Sequence, residues 1–211
     1  MKLFLLITLI MSPFFQPTSA VASVPQVAIN AESVKPILIG SMIPKVELKT
    51  VTGKTLQLND HLKGKKTLLI FYRGGWCPFC NKQLSSLIDI QKNLKKLGYQ
   101  IVAISADQPS ELKKSLVKQD LGYELLSDSD AKASKAFGIA FQVDSAGTEK
   151  LRSFGIDIES ASGNKEHILP VPAVFLVNKE SKIDFSYVNP NYKIRLKSEI
   201  IKAAAREFEK E

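Results

Sequence analysis

The stretch Phe71-Tyr72-Arg73-Gly74-Gly75-Trp76-Cys77-Pro78-Phe79-Cys80 decides how this chain is read, because it holds the only two cysteines among 211 residues. An apolar run, Leu68-Leu69-Ile70-Phe71, leads into it and an amphipathic pattern leads out. The two thiols therefore sit where a buried strand hands over to a helix. At such a junction the first helical N–H groups lack internal partners and the helix dipole places partial positive charge there. A thiolate is favoured over a thiol, which brings a cysteine from about 8.5 toward roughly 3.5–7.5 in C-x-x-C settings. Pro78 fits the first helical position, where a missing N–H costs nothing. Residues three apart share a helix face, so Cys80 lies one turn beyond Cys77, within reach of a small disulfide.

Redox chemistry is the reading these residues favour over two others. A disulfide spanning two residues restrains little of the unfolded chain, so stability is a poor reason for one. A metal site needs about four ligands, and only His61 and His167 stand available to join the cysteines, so no metal is expected. Both histidines read as surface loop residues. No Gly-rich phosphate loop suggests a bound cofactor.

Working outward, Met1 to Ala22 reads as a secretory signal, with Lys2, the apolar Leu3 to Met11 and the cleavage pattern Ala20-Val21-Ala22. Pro13 and Pro17 interrupt a run far short of the roughly 20 apolar residues of a membrane span. Export to the periplasm or beyond is expected, with no membrane span in the mature chain. In an oxidising compartment an unassisted pair rests as a disulfide, so a reductive role requires a thiol electron donor. About 189 residues remain after cleavage, enough for one well-packed domain. The formal charge of +8 is spread over lysines from Lys35 to Lys210. No basic block carries interleaved aromatics, so nucleic-acid binding is not expected.

Residues 23–35 read as a loose segment and 36–211 as the folded domain. Val46-x-Leu48 and Leu56-x-Leu58 alternate around Thr52-Gly53-Lys54 as a hairpin would. Asp60 to Lys66 reads as a polar connector. Thr67 to Tyr72 is uniformly apolar enough for a buried parallel strand. A helix follows from Cys77 to about Leu97, then a strand over Gln100–Ser105 and a helix from Pro109 to about Gln119. A short strand over Tyr123–Leu126 precedes a helix capped by Ser127-Asp128-Ser129-Asp130. Val171–Val177 and Lys182–Tyr187 form an antiparallel pair, and Leu196–Phe208 closes as a helix. The alternation predicts an α/β fold with a mixed sheet flanked by helices. Residues 140–169 break the rhythm as an insertion of mixed character.

With these residues laid out, the chain resembles the thioredoxin superfamily, and within it the peroxiredoxin-like alkyl hydroperoxide reductase/thiol-specific antioxidant (redoxin) family. The resemblance runs from about Val34 to Ala205. Besides Phe71–Cys80 it rests on Pro36-Ile37-Leu38-Ile39-Gly40-x-x-x-Pro44, Ile104-Ser105-Ala106-Asp107-x-Pro109, Leu125-Leu126-Ser127-Asp128, Phe137-Gly138-Ile139 and Pro172-Ala173-Val174-Phe175-Leu176-Val177. It implies a thioredoxin-like fold and a thiol-dependent peroxidase drawing electrons from a thioredoxin-like protein.

The resemblance carries two chemistries. Against the peroxiredoxin loop Pro-x-x-x-Thr-x-x-Cys, Cys80 matches the attacking cysteine, Cys77 the threonine and Arg73 the first proline. Pro172 stands at the position of the family's later arginine, whose place Arg73, Arg152 or Arg195 is left to take. Against thioredoxin, Cys77 is the nucleophile and Cys80 the resolver, Trp76 shields the site, and Val171-Pro172 matches a cis-proline dipeptide that faces the thiols. The peroxiredoxin side implies a hydroperoxide substrate. The thioredoxin side implies a protein disulfide. A third reading is a non-catalytic binding module that retains the fold. Asn189-Pro190-Asn191-Tyr192-x-x-Arg195 resembles a C-terminal element of the same branch, without an evident role.

Overall fold

The computed structural model of the chain describes residues 27–210, so the signal at 1–22 lies outside the described residues. The elements in order are β1 (Glu47–Thr50), β2 (Thr55–Gln57), α1 (Leu58–Leu62), β3 (Lys66–Tyr72), α2 (Pro78–Lys96), β4 (Tyr99–Ser105), α3 (Pro109–Gln119) and β5 (Glu124–Ser127). Then come α4 (Lys132–Ala136), β6 (Ala140–Gln142), α5 (Ser145–Ser153), α6 (Ile158–Ser162), β7 (Ile168–Pro170), β8 (Ala173–Val177), β9 (Ile183–Val188) and α7 (Ser198–Glu207).

Seven strands form one sheet in the order β2-β1-β5-β4-β3-β8-β9. The strands β3, β4 and β5 run parallel, while β8, β9 and the β1–β2 hairpin are antiparallel to their neighbours. This is the mixed α/β sheet expected, with the hairpin at one edge. Every residue of β3 is buried, as its unbroken apolar run requires of a central strand covered on both faces.

The period-2 alternation of β3 divides its side chains between two cores. Leu68, Ile70 and Tyr72 pack with Leu84, Leu87 and Leu94 of α2 and with Ile201 of α7. Leu69 and Phe71 face the other way, toward Phe137 and Phe175. The three rings meet at centroid distances of 4.9, 5.2 and 6.1 Å. Each such contact contributes about 0.5–1.5 kcal/mol beyond simple burial. The end of β3, and the loop it launches, are thus fixed from both sides of the sheet.

Three expectations change. Asp60–Lys66 is not a plain connector, because Leu58 and Leu62, four residues apart, bury one face of the short helix α1. The described part of 23–35 is not loose: the Ala28 N–H donates to Ala140 O at 2.9 Å and Ala28 O accepts from Gln142 N–H at 2.8 Å. Asn30 caps a 3-10 turn at Ala31–Ser33 there. The Val171-Pro172 bond is trans, and no cis bond occurs among the described residues. The Val171 N–H is bonded to Ile139 O and Pro172 O to the Asn189 N–H, so the backbone stays extended through the dipeptide.

The insertion gains a definite structure. Its ends, β6 and β7, pair antiparallel as a separate two-stranded sheet, and α5 and α6 lie between them. Asp144 and Asp157 cap the two helices through their side chains.

Candidate active site

The loop from β3 to α2 fixes the first thiol. Cys77 is the N-cap of α2, with φ −89° and ψ 116°, makes no capping bond with its side chain, and is followed by Pro78. Its carbonyl accepts the first helical hydrogen bond, from the Asn81 N–H at 3.0 Å. Cys80 lies one turn on, and both cysteines are buried free thiols, Cys77 at 1% and Cys80 at 0% exposure.

Their environments push the two sulfurs apart. Cys77 is brought down to about 6, first by a hydrogen bond from the Cys80 thiol and then by the Cys80 N–H and the guanidinium groups of Arg73 and Arg195, against the opposing effect of burial. Cys80 is pushed up, chiefly by burial and by that same thiol–thiol bond, with Arg195 partly offsetting it. At neutral pH the first sulfur is mostly thiolate and the second a thiol that can donate a proton.

Two arginines frame the pair. Arg73, nearly buried, stacks between aromatic rings, its guanidinium carbon 5.0 Å from the Trp76 ring centre and 4.3 Å from that of Tyr192. Arg195 donates from Nη2 to Cys80 Sγ at 3.1 Å, from Nη1 to Gln83 Oε1 at 3.1 Å and from Nε to Tyr192 O at 2.8 Å. Tyr192 also meets Phe79 edge-on at 5.7 Å. The Asn189–Arg195 segment thereby acquires a role, since it brings a ring and a guanidinium to the helix tip. Of the three candidate arginines Arg195 reaches Cys80, Arg73 stands beside Cys77, and Arg152 pairs instead with Glu159 at 3.2 Å.

Cys77 lies in the wall of a cleft of about 880 Å³. One side is formed by Trp76, Phe79, Pro172 and Tyr192, and the other by Phe141, Leu151 and Phe154 from the insertion. Ile29 and Phe154 are 81% and 68% exposed on its rim. Trp76, Pro78, Arg73 and Pro172 thus all line the cleft with Cys77.

The histidines are placed elsewhere. His61 Nε2 lies 2.7 Å from Glu124 Oε2 and His167 Nε2 lies 2.6 Å from Glu159 Oε1, so each imidazole is engaged by a carboxylate. Among the described residues no group of three or more His, Cys, Asp or Glu is arranged to hold a metal ion. No described helix is long and apolar enough to cross a membrane.

Asp107 was not foreseen as part of the site. It follows β4, is almost fully buried, and its Oδ2 accepts the Gly75 N–H at 2.6 Å. Burial raises its pKa to about 7; the Gly75 N–H opposes that and Glu111 adds to it. Only its place in Ile104-Ser105-Ala106-Asp107 marked it in the sequence.

Comparison with known proteins adds to this geometry. Peroxiredoxin Bcp of Escherichia coli K12 is 34% identical over 104 residues, which is 49% of this chain and 66% of that protein. Chloroplastic peroxiredoxin Q of Populus jackii is 38% identical over 100 residues, 47% of this chain and 46% of that protein. The matched stretch therefore spans from under half to just under two-thirds of these relatives. Reduced Prx3 from Vibrio vulnificus shares the fold, with a TM-score of 0.67 at 19% identity over 81% of this chain and 99% of that one. Xanthomonas campestris peroxiredoxin Q gives 0.61 at 17% over 83% and 98%. The profile of the AhpC/TSA family matches residues 39–186, and the chain belongs to that family.

Proposed function

We propose that the chain is an exported thiol peroxidase in which Cys77 attacks a hydroperoxide and Cys80 resolves the product. The observation that carries this reading is the unequal pair itself: a thiolate-favouring Cys77 in the cleft wall and a protonated Cys80 one turn behind it, outside the cleft lining. The Cys77 thiolate takes the outer OH of ROOH, breaking the O–O bond to give a sulfenic acid and an alkoxide, which takes a proton from solvent and leaves as ROH. The Cys80 thiol then displaces water from that sulfenic acid, forming the disulfide. Two electrons from an external dithiol of the thioredoxin type restore both thiols.

The assignment reverses the order that the peroxiredoxin loop implies, where Cys80 attacks. The cleft opposes that order: both sulfurs are buried, but Cys77 is in its lining and Cys80 is not, so a hydroperoxide entering it meets Cys77 first. Arg73 beside Cys77 is placed to stabilise charge moving onto the leaving oxygen, the task of the family's loop threonine and arginine. The cleft far exceeds hydrogen peroxide in volume and is lined mainly by apolar residues, aromatic rings among them, which suits a hydroperoxide with a bulky organic group. The signal-like residues 1–22 support export on sequence pattern alone.

A second reading, disulfide exchange with proteins, draws on the same cleft, whose exposed Ile29 and Phe154 offer apolar footing to a polypeptide. Stopped-flow mixing of the reduced chain with an organic hydroperoxide separates the two. The peroxidase reading expects consumption far faster than by free thiol. Cys77→Ser should eliminate it, and Cys80→Ser should preserve the first oxidation but halt at the sulfenic acid. A wild-type rate no better than free thiol overturns the peroxidase reading.

A further inference from the structure

We propose that Asp107 is a positioning residue for Cys77: through the Gly75 peptide it braces the loop that sets this sulfur at the tip of α2. The proposal rests on Cys77 being the attacking sulfur, as argued above. Three hydrogen bonds define the brace. Asp107 Oδ2 accepts the Gly75 N–H at 2.6 Å, the Gly75 carbonyl accepts Asn81 Nδ2 at 2.8 Å, and the Gly74 carbonyl accepts the Cys77 N–H at 3.1 Å. The Gly74–Gly75 peptide unit is thus held at its N–H by Asp107 and at its carbonyl by the Cys77 N–H, and the next unit, Gly75–Trp76, is held at its carbonyl by Asn81.

The loop has no slack to move sideways. A Cβ on Gly74 would collide with the Trp76 indole and the Asp107 carboxylate, and one on Gly75 with the Ser115 hydroxyl. Asp107 is itself anchored, its N–H donating to Ser105 Oγ at 3.2 Å. The Trp76 indole N–H and the Ser105 hydroxyl also attract the carboxylate and oppose the effect of burial on it, so Asp107 is tied to the residue next to Cys77 as well as to Gly75. The charged and titratable groups around it are Tyr72 from β3, Glu111 from α3, and Arg73 and His167, which line a small void with it. Their balance leaves Asp107 ionising near neutrality, and a charged acceptor binds the Gly75 N–H about twice as strongly as a neutral one.

Positioning and plain electrostatics predict opposite signs, which makes the test decisive. Deleting a negative charge by itself lowers the pKa of a neighbouring thiol, whereas releasing the brace raises it. The readout is the pH profile of iodoacetamide alkylation at Cys77 in the reduced full chain, localised by mass spectrometry. Asp107→Ala should shift the Cys77 pKa upward by roughly half a unit to one unit, slowing alkylation at pH below that pKa about three- to tenfold. Asp107→Asn retains a carbonyl for the Gly75 N–H, so it should restore most of the rate and delete the second ionisation near 7. Asn81→Ala frees the adjoining Gly75–Trp76 peptide and should move Cys77 in the same direction as Asp107→Ala. Should Asp107→Ala fail to fold, Asn81→Ala carries the test. An unchanged or lowered Cys77 pKa in Asp107→Ala or Asn81→Ala overturns the proposal. A wild-type Cys77 that titrates as an ordinary thiol overturns instead the assignment of the attacking sulfur. Because alkylation needs no peroxide, absence of peroxidase activity would not confuse the two outcomes.

Discussion

The chain passes from a buried parallel strand toward a helix after β3 and again after β5, and it treats the two helix starts in opposite ways. After β5, Asp128 satisfies the start of α4: Oδ1 accepts the Ala133 N–H at 2.8 Å, and Oδ2 accepts the Ser134 N–H at 2.8 Å and the Ser134 hydroxyl at 2.6 Å. After β3, the N-cap is Cys77, with no side-chain capping bond, and Pro78 removes one donor. The β5 junction uses its free N–H groups for stability. The β3 junction leaves them to a sulfur, whose charge they favour. A stabilised start and a reactive start are alternative uses of the same unsatisfied amides.

The largest effect that would sharpen this contrast concerns Arg195, whose contact with Cys80 the β5 junction has no counterpart for. Arg195→Met keeps much of the side-chain volume and removes the guanidinium from Cys80 Sγ and Gln83. A hydrogen bond to a charged group is worth about 1.5–3 kcal/mol, so disulfide closure should slow by roughly ten- to a hundredfold. The initial oxidation of Cys77 should change less, since Arg195 is the last of the influences on that sulfur. Single-turnover kinetics with separate detection of sulfenic acid and disulfide measures both steps. Equal slowing of both would mean that Arg195 serves Cys77, and that the two sulfurs are less distinct than their surroundings suggest.

The next effect lies at the other junction. Asp128→Asn presents an NH₂ group to donors that now point at a carboxylate oxygen, leaving buried N–H groups unsatisfied. A loss of about 1–3 kcal/mol is expected, with peroxide turnover per folded molecule unchanged. Denaturant unfolding and active-site titration report the two quantities separately. A fall in turnover without a fall in stability would show that the β5 junction serves the chemistry after all.

How much of this was legible follows from the range of each interaction. The strand–turn–helix logic at Cys77 is local, and the unbroken run Leu68–Phe71 and the span Pro109–Gln119 were readable for the same reason. Helix α1 was not, because Asn59, Asp60 and His61 hide the pair Leu58 and Leu62 in a polar segment. The 140–169 insertion defied periodicity since its strands are only three residues each and pair with each other. Arg195 was one of three equal candidates, for nothing local indicates that it bonds a sulfur 115 residues earlier. Asp107 shows the same limit: its partner Gly75 is 32 residues away, and a lone aspartate after a strand reads as an ordinary turn.

The smallest expected effect is the pH dependence of stability, where the contrast between the junctions becomes one of sign. Burial raises Asp128 to about 6 and Asp107 to about 7, both from 3.8, so the native state keeps protons that the unfolded chain releases near 4. Stability should therefore fall as pH rises from about 4 toward 7, because the folded state binds more protons in that window. Cys77 acts the other way. Its folded pKa of about 6 lies below the ordinary 9.0, so the reduced protein should gain stability as pH rises from 6 toward 9. Each proton difference supplies at most about 1.4 kcal/mol per pH unit, and the slopes of Asp107 and Cys77 oppose each other between about 6 and 7, where stability passes through its minimum. Cys77→Ser should abolish the rise above the minimum and leave the fall below it, while Asp128→Asn should flatten part of the fall and leave the rise. Thermal unfolding of the reduced protein across this range tests both at once. A rise that persists in Cys77→Ser would mean that some other group, and not the sulfur at the helix tip, holds the extra negative charge.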